Sequence, residues 1–350
     1  MTFHSNFALM KDILLLPYRI SMFYTLGQRL LLLSEQQREE LAYRAGGQNN
    51  WFTPKSVNQA IDAIGRSLSQ EALEQFTNGY TLAPATPKTI GLVMAGNIPL
   101  VGFHDLLSVL IAGHKALVKL SSQDTVLMQF VINQLRDIEP ALADRITITE
   151  RLQGMDAVIA TGSDNSARYF KHYFAKNPHI IRQNRTSVGI IKGEEGAEAV
   201  KALGDDLFRY YGLGCRNVSK LYVPRGYDFK PFIDALLDNE SVLDHHKYRN
   251  NYDYNKSIYL VNKEPHLDSG FFLVRESEEL VSPISVIFYE AYASEAELDL
   301  KLATKQDKIQ AIVSENGWYT GSIPFGTAQE PDLWDYADGM DTLEFLDGLS

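Results

Sequence analysis

Residues 89–100 read Thr-Ile-Gly-Leu-Val-Met-Ala-Gly-Asn-Ile-Pro-Leu, and this stretch decides the fold. Its first seven residues form a short, continuous apolar run, which is typical of a strand buried on both faces of a parallel sheet. Pro99 suits the first turn of a helix, so a helix is predicted from about Ile98 to Ala112, where Gly113 ends it. The stretch therefore predicts one strand–turn–helix unit of an α/β fold.

The same alternation of strands and helices continues along the chain. Further strands are predicted at 116–120, 146–149, 157–160 and 188–191, and a second series begins near Ala197 with strands at 218–223, 258–261, 284–289 and 309–313. Strands that alternate with helices indicate parallel sheets covered on both faces. The sequence thus predicts two α/β domains with parallel-sheet cores, preceded by a mainly helical N-terminal region.

The domain boundaries follow from these two series. We predict an N-terminal helical region over residues 1–85 and a Rossmann-like domain over 86–195. A domain that carries the cysteine spans 196–325, and an acidic tail over 326–350 packs back onto the body.

Composition excludes several classes of protein. The 350 residues are 45% apolar and 22% charged, and the net charge of −11 argues against a nucleic-acid partner, which needs a clustered Lys/Arg surface. The apolar segment from Phe7 to Leu33 is interrupted by charged residues. It therefore predicts amphipathic helices packed on the protein, with docking on a membrane surface or an acyl chain as the alternative, rather than an integral membrane segment. With a single cysteine and no signal peptide, the expected location is the cytoplasm.

The single cysteine, Cys215, stands in Tyr210-Tyr-Gly-Leu-Gly-Cys-Arg-Asn217, between a predicted helix and a predicted strand. The two glycines before it, Gly212 and Gly214, favour an exposed turn that presents the thiol beside backbone N–H groups. Arg216 would favour the thiolate. The alternative is that Cys215 is a small buried apolar residue.

Other candidate residues follow the predicted strands, at the sheet edge where open parallel sheets bind ligands. Asn97 could donate to an oxyanion or simply cap a helix. Lys119 could pair with a ribose or phosphate or be a solvated charge. Gly162 and Ser163 open a helix, which suits a phosphate as well as a plain N-cap. No G-x-G-x-x-G, P-loop or G-x-S-x-G motif is present.

Two further stretches are assigned structural roles. His245 and His246 are adjacent, and no second pair of ligands has metal spacing, so no metal site is predicted. The run from Tyr248 to Tyr254 is interpreted as a loop wall, with substrate contact as the alternative.

Taken together, these motifs resemble the aldehyde dehydrogenase superfamily in order and placement. Gly96–Pro99 resembles its asparagine motif, 117–122 its cofactor-binding lysine strand, 160–163 its phosphate-side turn and 211–216 its nucleophile loop. Within that superfamily the chain is most similar to the acyl-CoA reductase (LuxC-type) family. The support is the block 95–124, the segment 182–187, the Gly-Cys-Arg turn and the block 325–334.

The resemblance implies an oxidoreductase that reduces a fatty acyl-CoA, or a related acyl thioester, to the aldehyde with NAD(P)H. It implies Cys215 as the nucleophile, Asn97 as an oxyanion donor, and Lys119, Ser122, Gly162 and Ser163 at the cofactor. Ser122 stands near the place where NAD-preferring relatives carry a carboxylate, which favours NADPH, with NADH as the alternative. An acyl-transfer partner protein and a homo-oligomer are also expected by analogy.

One departure from the superfamily sets the predicted direction of the reaction. Aldehyde dehydrogenases carry a Glu-Leu-Gly-Gly-Lys-type segment whose glutamate activates water, whereas Arg182–Thr186 contains no carboxylate. A reductase has no hydrolytic step and needs no such base. Glu194 and Glu195 follow closely in sequence. Two alternatives remain open at this point: aldehyde oxidation to acyl-CoA or acid by the same cysteine, and a non-catalytic acyl-CoA-binding subunit.

Overall fold

The computed structural model describes residues 15–349 and contains two compact units, each built around one sheet. The first unit lies within Met1–Gln183 and Asp332–Ser350, and the second is Asn184–Pro331. Both sheets are parallel apart from one short edge pair in the second. The predicted fold class, with two parallel-sheet α/β cores and a helical N-terminal region, is confirmed.

Four helices open the described chain and form the helical N-terminal region. They are α1 (Leu16–Leu31), α2 (Glu35–Gln48), α3 (Pro54–Ser67) and α4 (Gln70–Thr77). The predicted packing of the apolar N-terminal segment is confirmed for α1, whose Phe23, Leu26 and Leu30 are buried; residues 7–14 lie outside the described residues. Within residues 15–349, no helix is both long and apolar enough to cross a bilayer.

The sheet of the first unit has five strands in the order β3-β2-β1-β4-β5, all parallel. Its elements are β1 (Thr89–Val93), α5 (Phe103–Ile111), β2 (Lys115–Lys119), α6 (Thr125–Ile138), β3 (Ile146–Ile148), β4 (Ala157–Thr161), α7 (Asp164–Tyr173) and β5 (His179–Arg182). Because β1 is flanked by β2 and β4, the carboxyl ends of these three strands meet at one edge of the sheet.

The sheet of the second unit has seven strands in the order β12-β11-β6-β7-β10-β9-β8. Its elements are β6 (Thr186–Ile190), α8 (Ala197–Phe208), β7 (Val218–Pro224), α9 (Phe229–Ala235), α10 (His246–Asn262), β8 (Leu267–Asp268), β9 (Leu273–Glu276), β10 (Val286–Tyr292), α11 (Glu295–Ala303), β11 (Ile309–Ser314) and β12 (Ile323–Pro324). This sheet carries the nucleophile candidate on the turn before β7.

The second unit begins earlier than the domain boundary predicted between residues 195 and 196. The reason is that β6 forms hydrogen bonds with β7 and β11 and so belongs to the second sheet. Residues 326–331 of the acidic tail also belong to this unit, while the remaining described tail residues, with α12 (Thr342–Asp347), pack in the first.

Two predictions about secondary structure in the second unit are wrong. Residues 258–261 were expected to be a strand and 248–254 a loop wall, but both lie in α10. Tyr248, Tyr252, Asn255 and Tyr259 are buried along one side of that helix. Their spacing of three and four residues is the helical period, and it outweighs the strand preference of the Ile258–Val261 run.

A buried ion pair ties three elements of the first unit together. The Arg182 guanidinium, at the end of β5, donates to the Asp105 carboxylate on α5 and, at 2.8 Å, to the Thr342 hydroxyl of α12. Both charged side chains are nearly inaccessible, with 5% and 7% of their surfaces exposed. Removing one partner would leave the other charge buried without compensation, which is far costlier than breaking a surface pair.

We therefore expect Asp105→Asn to lower the free energy of unfolding by about 3–5 kcal/mol, the usual cost of a broken buried pair. Asp62→Asn is the matched control, because the Asp62 side chain is 37% exposed in its pair with Arg38. That control should cost about 1 kcal/mol or less. Urea denaturation of both variants measures the difference, and equal losses would contradict the role given to the Arg182–Asp105 pair.

Candidate functional site

The Cys215 turn has the irregular backbone that its sequence predicts. After α8 ends at Phe208, Tyr210 and Tyr211 adopt left-handed conformations with φ of 53° and 59°, and Gly212 follows with φ of 78°. Left-handed backbone is unfavourable for residues with a Cβ and persists only where surrounding contacts impose it. Cys215 itself is only partly buried, so the alternative of an inert core cysteine is not what the structure shows.

The side chain of Asn217 supplies the contacts that close this turn. Its Oδ1 accepts the Gly214 N–H at 2.8 Å, while its Nδ2 donates to the carbonyls of Asp206 at 3.0 Å and Arg209 at 2.8 Å. Only 2% of Asn217 is exposed. One buried amide thus joins the end of α8 to the residue just before Cys215.

Strand β6 supports the same turn from the neighbouring position in the sheet. The Ser187 hydroxyl donates to the Cys215 carbonyl at 3.2 Å, and the Ser187 N–H donates to the Asn217 carbonyl at 3.1 Å. Ser187 is fully buried. The backbone around the thiol is therefore held from both the helix and the strand.

Asp206 on α8 anchors a second loop of the same unit. Its carboxylate accepts the N–H groups of Gly326 at 2.6 Å and Ala328 at 3.0 Å. Burial raises the pKa of Asp206 to about 7, although these two donors oppose the rise by stabilising the charge. The Asp206 residue thus holds the 326–328 segment with its side chain and Asn217 with its carbonyl.

Aromatic rings pack against the start of this turn. The Tyr211 ring lies 4.5 Å from that of His245, centroid to centroid, and 6.1 Å from that of Tyr248. The Nδ1 of His245 accepts the Tyr248 N–H and so caps α10, and the His246 ring stacks on that of His245. The structural role predicted for His245 is thus a helix cap, and residues 15–349 contain no cluster of acidic, histidine or cysteine side chains suited to a metal.

In the first unit, Asn97 lies in a turn and does not cap the helix that follows. The helix α5 begins at Phe103 with Gly102 at the capping position, later than predicted, because Leu100 has a left-handed φ of 60°. The Leu100 N–H donates to the buried Asp124 carboxylate at 2.7 Å, and burial raises the pKa of Asp124 to about 7. The capping alternative for Asn97 is therefore wrong, and the turn has its own buried anchor.

Lys119 and Ser122 follow the neighbouring strand. Lys119 ends β2 opposite Val93 of β1, and the side chains of both Lys119 and Ser122 are exposed. The two strand-end loops pack so closely that a Cβ on Gly96 would lie 2.5 Å from the Ser121 hydroxyl. The end of α2 contributes as well, since the Gln48 amide donates to the Ser122 carbonyl at 2.7 Å.

Gly162 and Ser163 follow β4 at the same sheet edge. Ser163 is the N-cap of α7, and its hydroxyl oxygen accepts the Ser166 N–H at 3.3 Å. A Cβ on Gly162 would lie 2.8 Å from the Cβ of Ser166, so this position has room only for glycine. The structure thus brings Asn97, Lys119, Ser122, Gly162 and Ser163 to one edge of the first sheet, while Cys215 belongs to the second unit.

The two arginines of the segment 182–187, which contains no carboxylate, are bound to other groups. Arg182 is bound to Asp105, and the Arg185 guanidinium donates to the Ile309 carbonyl at 3.1 Å. The carboxylate of Glu195 accepts the N–H groups of Lys192 and, at 2.8 Å, Gly193, so it closes its own turn. Glu194 is exposed.

Sequence reasoning missed Asp124, Asp206 and Asn217. Asn217 lies two residues after the cysteine, and an asparagine at that distance could have been recognised as a turn-closing side chain. The sequence does not indicate that Asp124 and Asp206 are buried, because an aspartate before or inside a predicted helix is expected to be a solvated surface residue.

Comparisons with known proteins bear on this arrangement. The family model described as acyl-CoA reductase (LuxC) matches residues 28–260. No curated protein matches the chain by sequence.

Among solved structures, a putative aldehyde dehydrogenase from Burkholderia cenocepacia is similar with a TM-score of 0.65 at 16% identity, covering 85% of this chain and 74% of that one. The NAD+ complex of an aldehyde dehydrogenase from Bacillus cereus gives 0.60 at 14% identity, with coverage of 86% and 72%. A P. syringae indole-3-acetaldehyde dehydrogenase variant in complex with NAD+ and IAA gives 0.63 at 14% identity, with coverage of 88% and 73%.

These structural likenesses establish an aldehyde dehydrogenase-like fold. Together with the family model, they support redox chemistry on acyl-CoA or aldehyde groups. Because the family model matches well over half of its length, the chain belongs to the acyl-CoA reductase (LuxC) family.

Proposed function

We propose that the protein reduces a fatty acyl-CoA, or a related acyl thioester, to the aldehyde with NAD(P)H, through an acyl group held on Cys215. The observation that carries this proposal is the Cys215 turn. In a chain of this family, a single, partly exposed cysteine stands on a strained turn that Asn217 and Ser187 fix from two sides. Such rigid support is what a nucleophile needs and an inert core cysteine does not.

The first half of the reaction is an exchange of thioesters. The Cys215 sulfur forms a bond to the acyl carbonyl carbon, and the bond from that carbon to the CoA sulfur breaks, so that CoA leaves as its thiol or thiolate. The carbonyl oxygen carries negative charge in between. We assign the Asn97 side-chain N–H and the Cys215 backbone N–H as its hydrogen-bond donors.

The edge of the first sheet fits a nicotinamide dinucleotide. It presents an exposed ammonium at Lys119, an exposed hydroxyl at Ser122 and, after Gly162, the N-terminal N–H groups of α7, which are donors suited to ribose and phosphate oxygens. The Ser163 hydroxyl accepts the Ser166 N–H at 3.3 Å and lies 3.1 Å from the Ser166 hydroxyl, so it belongs first to the cap of α7. The reduced cofactor, when bound, would supply the hydride.

The absence of a carboxylate from the segment 182–187 supports acyl transfer and reduction over hydrolysis to the acid. A thioester on Cys215 survives for reduction only if water is not activated beside it, and the segment 182–187 carries no carboxylate. Glu195, the partly buried one of the two nearby glutamates, is bound to its own turn. These contacts favour reduction over hydrolytic oxidation.

Several finer assignments stay predictions that rest on the resemblance. They are the preference for NADPH over NADH, the fatty chain of the substrate, a homo-oligomer and an acyl-transfer partner protein. The cytoplasmic location stays a prediction from the single cysteine and the N-terminal sequence.

We expect Cys215→Ala to abolish covalent acylation and aldehyde formation, because the variant has no sulfur to form the thioester. Intact mass after exposure to acyl-CoA, with NADPH withheld, measures the adduct. An NADPH-oxidation assay with analysis of aldehyde and acid measures turnover. An adduct on the alanine variant would refute the nucleophile, while wild-type protein that binds acyl-CoA without an adduct would identify a binding subunit.

Asn97→Ala should lower kcat about a hundredfold, since losing one oxyanion donor costs about 3 kcal/mol of transition-state stabilisation. Asn177→Ala is the matched control, because the Asn177 amide donates to the Met155 carbonyl at the opposite edge of the same sheet. The control should keep its activity. Steady-state kinetics decide, and equal activity of the two variants would remove Asn97 from the mechanism.

Ser122→Glu should lower the ratio of kcat/KM for NADPH to that for NADH at least about tenfold, a change of about 1.4 kcal/mol. The new carboxylate would repel a 2′-phosphate and accept hydrogen bonds from a ribose diol. Gln123→Glu adds the same charge at the next exposed position and serves as the control. If both variants shift the ratio equally, the effect is one of general charge and Ser122 is not at the ribose.

A further inference from the structure

We propose that Asn217 is a positioning residue for Cys215, and that the end of α8 at Asp206 is the fixed point to which it holds the turn. The proposal rests on the proposed function, because it takes Cys215 as the nucleophile.

In one conformation, the Asn217 side chain accepts a hydrogen bond with its oxygen and donates two with its nitrogen. Its oxygen accepts from Gly214, and its nitrogen donates to Asp206 and Arg209, all at 2.8–3.0 Å. Among the short side chains, only an amide offers both a carbonyl acceptor and two N–H donors in one plane. A residue without both functions would leave buried backbone groups unpaired.

The turn needs such external contacts because its own backbone is unfavourable. Tyr210 and Tyr211 are consecutive left-handed residues, and Gly212 continues the left-handed run. Left alone, this segment would relax toward conformations with negative φ, and the thiol would move with it. The hydrogen bonds from Asn217 to the carbonyls of Asp206 and Arg209 join the residue after the strained segment to the helix end before it.

Asp206 makes that helix end a rigid reference. Its carboxylate is bound on both oxygens by Gly326 and Ala328, so the same residue holds a second loop of the unit in place. The Ser187 bond to the Cys215 carbonyl then fixes the turn from β6. The thiol is therefore oriented by hydrogen bonds that join its turn to a buried helix end and a buried strand.

A positioning role predicts a specific pattern of kinetic defects. Attack on a thioester carbonyl needs a defined approach, and a displacement of about 1 Å can cost about a hundredfold in rate. Alkylation by iodoacetamide, a small and mobile reagent, does not depend on how an acyl chain is held. Asn217→Ala should therefore slow acylation much more than alkylation.

The experiment measures both rates on the full-length protein. For Asn217→Ala we expect acylation from acyl-CoA, followed by intact mass with NADPH withheld, to fall about 10- to 100-fold. The acyl-CoA concentration that gives half the maximal rate should change less than about threefold. The rate of alkylation by iodoacetamide should also change less than about threefold, since neither quantity depends on how the thiol approaches the thioester carbonyl. Asn255→Ala is the matched control, because Asn255 is a buried amide that donates to the Ile284 carbonyl at 3.0 Å.

A second variant covers the case in which Asn217→Ala does not fold. Ser187→Ala removes only the bond to the Cys215 carbonyl and should slow acylation by about 3- to 10-fold, in line with the loss of one hydrogen bond worth about 1 kcal/mol. The same insensitivity of the iodoacetamide rate is expected.

The outcomes separate this proposal from the proposed function. If the wild type forms no adduct on Cys215, the proposed function falls and the positioning role falls with it. If the wild type is acylated and Asn217→Ala, or Ser187→Ala in its place, is acylated equally fast, only the positioning role is overturned. It is also overturned if Asn255→Ala is slowed as much, or if acylation and alkylation fall together.

Discussion

Buried carboxylates that accept backbone N–H groups hold one loop in each of the two units, and each lies beside a candidate site residue. Asp124 accepts the N–H of Leu100 in the turn that carries Asn97, and Asp206 accepts those of Gly326 and Ala328 beside the helix that carries the Cys215 turn. Burial raises the pKa of each to about 7. Burying a carboxylate is unfavourable, but here each carboxylate accepts loop N–H groups that have no partner in a helix or strand. These hydrogen bonds fix the conformation of the loop.

The turn that carries Asn97 leads from β1 to α5, whereas the Cys215 turn leads from α8 to β7, so the two arise at different kinds of connection. In a parallel sheet, the chain must leave each strand and reverse before the next helix, so the departures from regular structure collect at the sheet edges. In the first unit β1, β2 and β4 are neighbours, and the ends of these parallel strands bring Asn97, Lys119 and Gly162 to one edge of the sheet. The topology of the sheet thus brings the candidate residues together, and the Asp124 carboxylate fixes the conformation of the turn that carries Asn97.

How much the sequence could predict depends on whether the signal is local. The continuous apolar run at 89–95 predicted β1 and, with its successors, the α/β class, because burial on both faces leaves a direct mark on composition. The start of α5 was predicted too early, because the left-handed Leu100 delays the helix and no residue near it signals that conformation. The anchoring by Asp206 could not be predicted, because its partner Gly326 is 120 residues away.

The stretch 258–261 shows the opposite failure. Ile-Tyr-Leu-Val has a strong strand preference, yet it ends α10, where Tyr259 is buried and Val261 is 80% exposed. The preference is a weak free-energy term, and the burial of three tyrosines at helical spacing exceeds it.

The proposed direction of catalysis is supported by the hydrogen bonds and ion pairs that the carboxylates near the segment 182–187 already form. In the segment that the resemblance matches to the glutamate-bearing motif of aldehyde dehydrogenases, the Arg182 guanidinium is paired with the Asp105 carboxylate, and both are buried. Converting such a buried carboxylate into a base for water would require breaking the pair and desolvating a lone arginine, at a cost of about 3–5 kcal/mol. Because Glu195 is likewise bound by Gly193 in its own turn, its use as a base for water would displace that contact. Reduction needs no such rearrangement, which is why these contacts favour it.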